Sequence, residues 1–195
     1  MSIYKVARGL GHFLKTIFFK YEIIGQENIP YGQRCIVCAN HTHNFDPIAI
    51  NLAMNQKIYF MAKKELFANK FIAKILTDLG GFPIDRGAND LKAIKTALNY
   101  LNNDEFLGIF PEGTRNADPE KSDPKAGIAM LAIRTSSAIL PIKIKTNKNY
   151  RIFSKVKVII GKPIVYQEYF GQRLSSEDYL EISKDVMNKI YELEA

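Results

Sequence analysis

Two hydrophobic rhythms run along this chain. Over residues 3 to 20, Ile3, Val6, Leu10, Phe13, Leu14 and Ile17 fall on one face at about 100° per residue, with Lys5, Arg8, His12, Lys15 and Thr16 on the other. That spacing predicts a helix with a basic face opposite a Leu/Phe/Ile face, the pattern of a helix lying in a membrane interface. A terminal helix packed on the core, its lysines in water, has the same pattern. After Tyr21 short apolar runs alternate with helical periods. Predicted strands cover 34–39, 57–62, 106–110, 138–145 and 152–160. Predicted helices cover 47–54, 64–79 (with a break inside it), 89–102, 125–136 and 175–193. Helix 89–102 is expected to bury Leu91, Ile94, Leu98 and Leu101. The alternation predicts an α/β fold: a single domain with a mostly parallel central sheet flanked by helices, plus an N-terminal amphipathic helix. The organisation expected is a docking helix at 1–20 followed by one domain at 21–195. No internal repeat, low-complexity stretch or linker divides it. The polar stretch Asn116 to Lys125 reads as a surface loop.

Composition narrows the class. Hydrophobic residues make up 47% of the 195 positions and charged residues 24%, enough apolar surface for one sizeable core. No run approaches the roughly 18 apolar residues a membrane-spanning helix needs. No small-residue cleavage site follows the N-terminal stretch, so no signal peptide is expected. The two cysteines, Cys35 and Cys38, sit in a strand-like apolar run. Strand residues three apart lie roughly 10 Å from each other, too far for a disulfide, and a C-x-x-C redox site normally opens a helix. Core packing in a reducing compartment is the expectation.

Charge points to an anionic partner. The formal net charge is +7, and the segment from Leu174 onward holds six acids against two lysines, net −4, which leaves +11 on the rest. Such a body favours a phospholipid surface, a nucleic acid or a phosphorylated substrate. A nucleic-acid partner is not expected, because neither a recognition helix nor a basic stripe interleaved with aromatics is present.

Four segments carry candidate chemistry. Asn40-His41-Thr42-His43-Asn44-Phe45-Asp46-Pro47 follows the apolar run 34–39 and opens a helix, with Asp46 expected at the N-cap and Pro47 at the first helical position. In open α/β sheets, sites form beyond the carboxyl ends of strands, where His41 falls. On one ideal helix His41 and Asp46 would stand about 140° apart, so they meet only if a loop intervenes. An imidazole beside a carboxylate gains a fixed tautomer and basicity, as a general base requires. The other reading makes Asp46 a helix cap alone and His41 a loop residue. In Gly80-Gly81-Phe82-Pro83-Ile84-Asp85-Arg86-Gly87, Arg86 offers a planar cation for phosphate, or else pairs with Asp85 in a tight turn. In Phe110-Pro111-Glu112-Gly113-Thr114-Arg115, Thr114 and Arg115 bring a hydroxyl and a forked cation, or else the segment is a solvated turn. The fourth comprises Lys125-Ala126-Gly127 and Ile139-Leu140-Pro141-Ile142. There Lys125 could add charge near a phosphate or face solvent, and Pro141 shapes the start of a strand.

Taken together these segments resemble bacterial PlsC-type 1-acyl-sn-glycerol-3-phosphate acyltransferases. The family's N-H-x-x-x-x-D block is matched by Asn40-His41 through Asp46, its G-x-F-x-x-D-R type block by Gly81 to Arg86, and its F-P-E-G-T-R block by Phe110 to Arg115, about seventy residues after His41. Ile139-Leu140-Pro141-Ile142 matches its apolar-Pro segment, and Met61-Ala62-Lys63-Lys64-Glu65-Leu66-Phe67 is also similar to it. Order and spacing agree from about residue 20 to 165. Asn116 stands where many members have Ser.

The resemblance implies the mostly parallel α/β domain and an acyl transfer from a thioester, acyl-CoA or acyl carrier protein, to the sn-2 hydroxyl of 1-acyl-glycerol-3-phosphate, giving phosphatidic acid. It implies His41 as base with Asp46 as partner, and Arg86, Glu112, Gly113, Thr114 and Arg115 as acceptor-binding residues. The residues agree with direct attack. The chain has no G-x-S-x-G elbow and no cysteine in a reactive setting, so no covalent acyl-enzyme is suggested. His43 need not face the site. No metal or redox cofactor is expected, since the histidines and cysteines lack ligand spacing. The expected partners are a lysophospholipid acceptor, the thioester donor and an anionic membrane surface. The expected place is peripheral, on the cytoplasmic face of a bacterial membrane. The alternatives are another acceptor (glycerol-3-phosphate or a lyso-aminolipid) or a non-catalytic peripheral membrane protein.

Overall fold

The run Cys35–Ala39 is buried at every position, which is how a central strand of a parallel sheet must read, with both faces covered. In the computed structural model, which describes residues 3–85, 90–113, 115, 124–147 and 150–194, this run is β2 of a seven-stranded sheet. The strands are β1 (Lys20–Ile24), β2 (Cys35–Ala39), β3 (Ile58–Lys63), β4 (Gly81–Ile84), β5 (Phe106–Ile109), β6 (Ala138–Thr146) and β7 (Lys155–Ile160). Their spatial order is β1-β7-β6-β2-β5-β3-β4. Only β6 and β7 run antiparallel to each other; every other neighbouring pair is parallel. The predicted α/β class with a mostly parallel sheet is what the chain adopts.

The helices are α1 (Ile3–Phe18), α2 (Asp46–Ala53), α3 (Lys70–Asp78), α4 (Leu91–Asn102), α5 (Gly127–Thr135) and α6 (Ser176–Glu192). Among the described residues, the two larger apolar cores include residues of opposite faces of β2, and a small third cluster of Ala129, Ile133 and Ile182 joins α5 to α6. Of the larger two, one gathers Val37, Ile50, Phe60, Leu140 and Val158, including residues of α2. The other gathers Ile36, Leu101, Leu107, Ile128 and Val186 beneath α4, α5 and α6. Cys35 belongs to the first and Cys38 to the second, as side chains three apart on a strand must. Both are free and fully buried. Burial pushes the Cys35 thiol up to about 12 and the Cys38 thiol well up too, which suits packing and not thiolate chemistry.

Several elements depart from the sequence pattern. β1 has no counterpart among the predicted strands: α1 stops at Phe18 and a strand begins at Lys20. β4, Gly-Phe-Pro-Ile, carries two residues that argue against strand. It is an edge strand, the place where a proline without an N–H is tolerated. The predicted helix 64–79 breaks as expected, into a 3-10 turn over Lys64–Phe67 and then α3, whose cap Asn69 accepts the N–H groups of Phe71 and Ile72. In α4 the fully buried line is Ala93, Ala97 and Leu101, whereas Leu91 is 66% exposed and Ile94 and Leu98 are half-buried. Leu101 is buried as expected and Ile94 and Leu98 flank it, so of the four expected positions only Leu91, at the helix start, stays out of the core. Small alanines let α4 press closely onto the core beside Leu101, and Ile94 and Leu98 take its margins.

The polar side of α1 is its docking side. Arg8 donates to the carbonyls of Met54 and Asn55 at the end of α2, Gly11 sits against Leu52, and the Lys15 ammonium lies over the Tyr21 ring. Val6, Leu10, Phe13, Leu14 and Ile17 face outward and are exposed. The helix therefore does not use its apolar stripe to pack on the core.

Candidate active site

The parallel pairing of β2 with β5, Cys38 beside Ile109, carries both strands out of the sheet at the same edge. Asn40-His41 leaves β2 there and Phe110-Pro111 leaves β5 next to it. Asn40 makes the exit possible. Its side-chain oxygen accepts the Ile144 N–H at 2.7 Å and its amide donates to the Ile144 carbonyl at 3.1 Å, so a side chain completes the β6 ladder where β2 no longer does. The backbone is then free to turn His41 over the edge.

The next five residues fold around one carboxylate. Asp46 is fully buried. Its Oδ2 accepts the backbone N–H groups of Thr42 and His43, each at 2.7 Å, and stands 2.9 Å from His41 Nδ1. Its Oδ1 accepts the Tyr150 hydroxyl at 2.7 Å. The expectation that Asp46 caps the helix needs correction. Phe45 occupies the cap position without a side-chain bond, and Asp46 is already inside α2 with Pro47 after it. The carboxylate turns back to gather the loop, leaving the helix N–H groups to themselves. That arrangement brings His41 and Asp46 together and removes the reading of Asp46 as a cap alone.

Because an ionised carboxylate only accepts, Nδ1 of a neutral His41 carries the hydrogen and Nε2 keeps its lone pair. The imidazole is stacked on Phe110, ring centroids 4.0 Å apart and planes 19° apart, and Phe110 stacks in turn on Phe60. The His41 side chain is 12% exposed. His43 points elsewhere, onto Phe45 and Tyr150.

The third motif follows Phe110. Gly113 has φ +64, and a Cβ there would press on the Lys125 side chain, so glycine suits both the backbone and the close approach. Lys125 is exposed beside it and its N–H donates to the Pro111 carbonyl. Arg115 is exposed. Glu112 is buried and accepts the Tyr191 hydroxyl of α6 at 2.8 Å. Arg86 and Thr114 lie outside the described residues. A cleft of about 360 Å³ opens beside this loop, walled by Met61, Ile84, Ile94, Ile109 and Met130 and including Lys125.

The chain matches the family described as Acyltransferase over residues 20–145, a span that holds all of these motifs. It belongs to the acyltransferase family. This acyltransferase is 30% identical over 177 residues to a 1-acyl-sn-glycerol-3-phosphate acyltransferase of Bacillus subtilis, covering 89% of this chain and 87% of that protein. It is 34% identical over 134 residues to a protein of the same name from Streptococcus pneumoniae, covering 66% of this chain and 49% of that one, so the match spans about half of the relative's length. Its fold is that of PlsC, the 1-acyl-sn-glycerophosphate acyltransferase of Thermotoga maritima, with TM-score 0.71 and 26% identity over 98% of this chain and 81% of that chain.

Sequence reasoning missed three side chains of this acyltransferase that bear on the site: Phe110 as the wall behind His41, Tyr150 on Asp46, and Tyr191 on Glu112. Phe110 opens the third motif. The two tyrosines come from 104 and 79 residues away in sequence and had no local signal.

Proposed function

We propose that the protein transfers a fatty acyl group from a thioester, acyl-CoA or acyl carrier protein, to the sn-2 hydroxyl of 1-acyl-glycerol-3-phosphate, yielding phosphatidic acid and free thiol. The observation that carries this reading is the buried His41–Asp46 pair, 2.9 Å apart, at the exit of a central strand. His41 Nε2 takes the proton of the acceptor hydroxyl as its oxygen attacks the thioester carbonyl carbon. The tetrahedral intermediate collapses, the carbon–sulfur bond breaks, and the imidazolium returns the proton to the departing sulfur. Asp46 holds the Nδ1–H tautomer and stabilises the imidazolium, as the carboxylate of a Ser-His-Asp triad does, while the nucleophile is the acceptor's own hydroxyl. No metal or redox cofactor takes part.

The acceptor phosphate goes to the second and third motifs: Arg86, Glu112, Gly113, Thr114 and Arg115. With Glu112 held by Tyr191, its part is to shape the loop, while the exposed Arg115 supplies charge and paired donors. The apolar walls of the neighbouring cleft suit an acyl chain. The outward stripe of α1 docks the enzyme on the cytoplasmic face of a bacterial membrane, its apolar residues in the interface. No helix among the described residues is long and apolar enough to cross a bilayer.

Purified protein given labelled lysophosphatidic acid with each donor in turn tests the reading. Phosphatidic acid from at least one donor, with little product from glycerol-3-phosphate or a lyso-aminolipid, is expected. Faster acylation of either alternative acceptor would replace the substrate assignment and leave the base in place.

A further inference from the structure

The loop joining β6 to β7 brings two unlike features together within four residues. Tyr150 reaches inward to Asp46. Ile152 and Phe153 face outward, 62% and 67% exposed. They do not stand alone, which is what separates a contact surface from scattered apolar residues. The Phe153 N–H donates to the Phe18 carbonyl at the end of α1, so the pair adjoins the helix on which Leu10, Phe13 and Ile17 are exposed. Phe45, half exposed, packs beside the Tyr150 ring at 6.0 Å between centroids. Lys20, Arg151 and Lys155 are exposed around the pair, the charge that an anionic headgroup layer complements.

The backbone gives a second sign. Tyr150 and Phe153 both have left-handed φ, 61° and 64°, which aromatic residues rarely adopt. Such conformations persist where surroundings over-determine them, and here the Asp46 bond and the Phe18 bond hold the two ends. Burial first, and then the Asp46 carboxylate, raise the Tyr150 hydroxyl far above its ordinary range, so it remains a donor.

We propose that this loop is a second lipid-contacting segment that also sets the catalytic carboxylate: Ile152 and Phe153 enter the headgroup layer of an anionic bilayer beside α1, and Tyr150 is a positioning residue for Asp46. The inference rests on the reading of His41 and Asp46 as the catalytic pair and of α1 as a docking helix. One short loop then fixes the pair relative to the membrane plane, where a long-chain acceptor presents its hydroxyl.

The test uses the full chain with phosphatidylglycerol-containing vesicles, a vesicle-embedded long-chain acceptor and a short-chain soluble acceptor. The double variant Ile152→Ser with Phe153→Asn is chosen because Asn tolerates left-handed backbone. Its affinity for anionic vesicles should fall about tenfold, with activity on the embedded acceptor falling too and activity on the soluble acceptor kept. Tyr150→Phe should bind vesicles normally, lose roughly tenfold in kcat on both acceptors, and keep its KM. Unchanged vesicle affinity in the double variant overturns the lipid contact. Wild-type kcat in Tyr150→Phe, or a change confined to KM, overturns the positioning role. Two controls keep the underlying readings separate. Full turnover in His41→Ala overturns the base assignment itself, and vesicle binding that survives Leu10, Phe13 and Leu14→Ser overturns docking by α1 while leaving the loop to be judged on its own variant.

Discussion

His41 lies flat against Phe110, the two rings 4.0 Å apart at their centroids. One residue comes from the end of β2 and the other from the end of β5, so two sequence motifs about seventy residues apart close on each other through a single stacked pair. The stack fixes the imidazole plane, and an aromatic face also favours the cation that the proposed proton transfer would form. Phe110→Leu should therefore keep the fold and lower kcat by roughly tenfold, since small errors in placing a catalytic group are costly. Steady-state kinetics beside a thermal melt check this; an unaltered kcat would make the stack incidental.

Asp46→Asn should reduce kcat by roughly 10²–10⁴-fold. The amide keeps an oxygen for the Thr42 and His43 N–H groups but brings no charge to stabilise the imidazolium. Wild-type kcat in Asp46→Asn would assign this carboxylate to loop structure alone.

Arg115→Lys should raise KM for the lysophosphatidic acid acceptor more than for the thioester. The charge survives and the bidentate fork is lost. A KM effect confined to the thioester would remove Arg115 from the acceptor site.

How much of this was legible before the structure depended on how local each signal was. β2 and β5 are unbroken apolar runs ending at polar motifs, and they were read nearly to the residue. The His41–Asp46 pair was legible because the strand, loop and helix that join its members are contiguous. β4 was not, because Gly81 and Pro83 are strand breakers except at a sheet edge, and edge position is a property of the whole fold. On α4 the sequence pattern found Leu101 but overvalued Leu91 and passed over Ala93 and Ala97, because leucine outranks alanine in a hydrophobic pattern while close packing favours the small side chain. The face on which α1 docks was hidden for a related reason: Arg8 finds the free carbonyls at the end of α2, an opportunity that exists only once α2 is in place. Tyr150 reached Asp46 through tertiary structure alone.

Asp90 gives a test of stability against pH. The N–H of Asp85 first, then those of Ala93 and Lys92 at the start of α4, hold its carboxyl below the usual carboxylate range. A depressed carboxyl stabilises the fold above its unfolded value and loses that contribution as pH falls through its folded value. Asp90→Ala should thus lower Tm at pH 7, and its gap from wild type should narrow as pH drops below the ordinary aspartate value of about 3.9. Asp90→Asn, an equally good cap, should keep a nearly pH-independent Tm offset. A gap for Asp90→Ala that stays constant into strong acid would contradict an ionic cap.

The central claim is that His41 is the base that removes the acceptor's proton. The most direct measurement is kcat of purified His41→Ala with labelled lysophosphatidic acid and a thioester donor, alongside its thermal melt. The account predicts a folded protein whose turnover falls by roughly 10²–10⁴-fold; near-wild-type turnover from a correctly folded His41→Ala would contradict it.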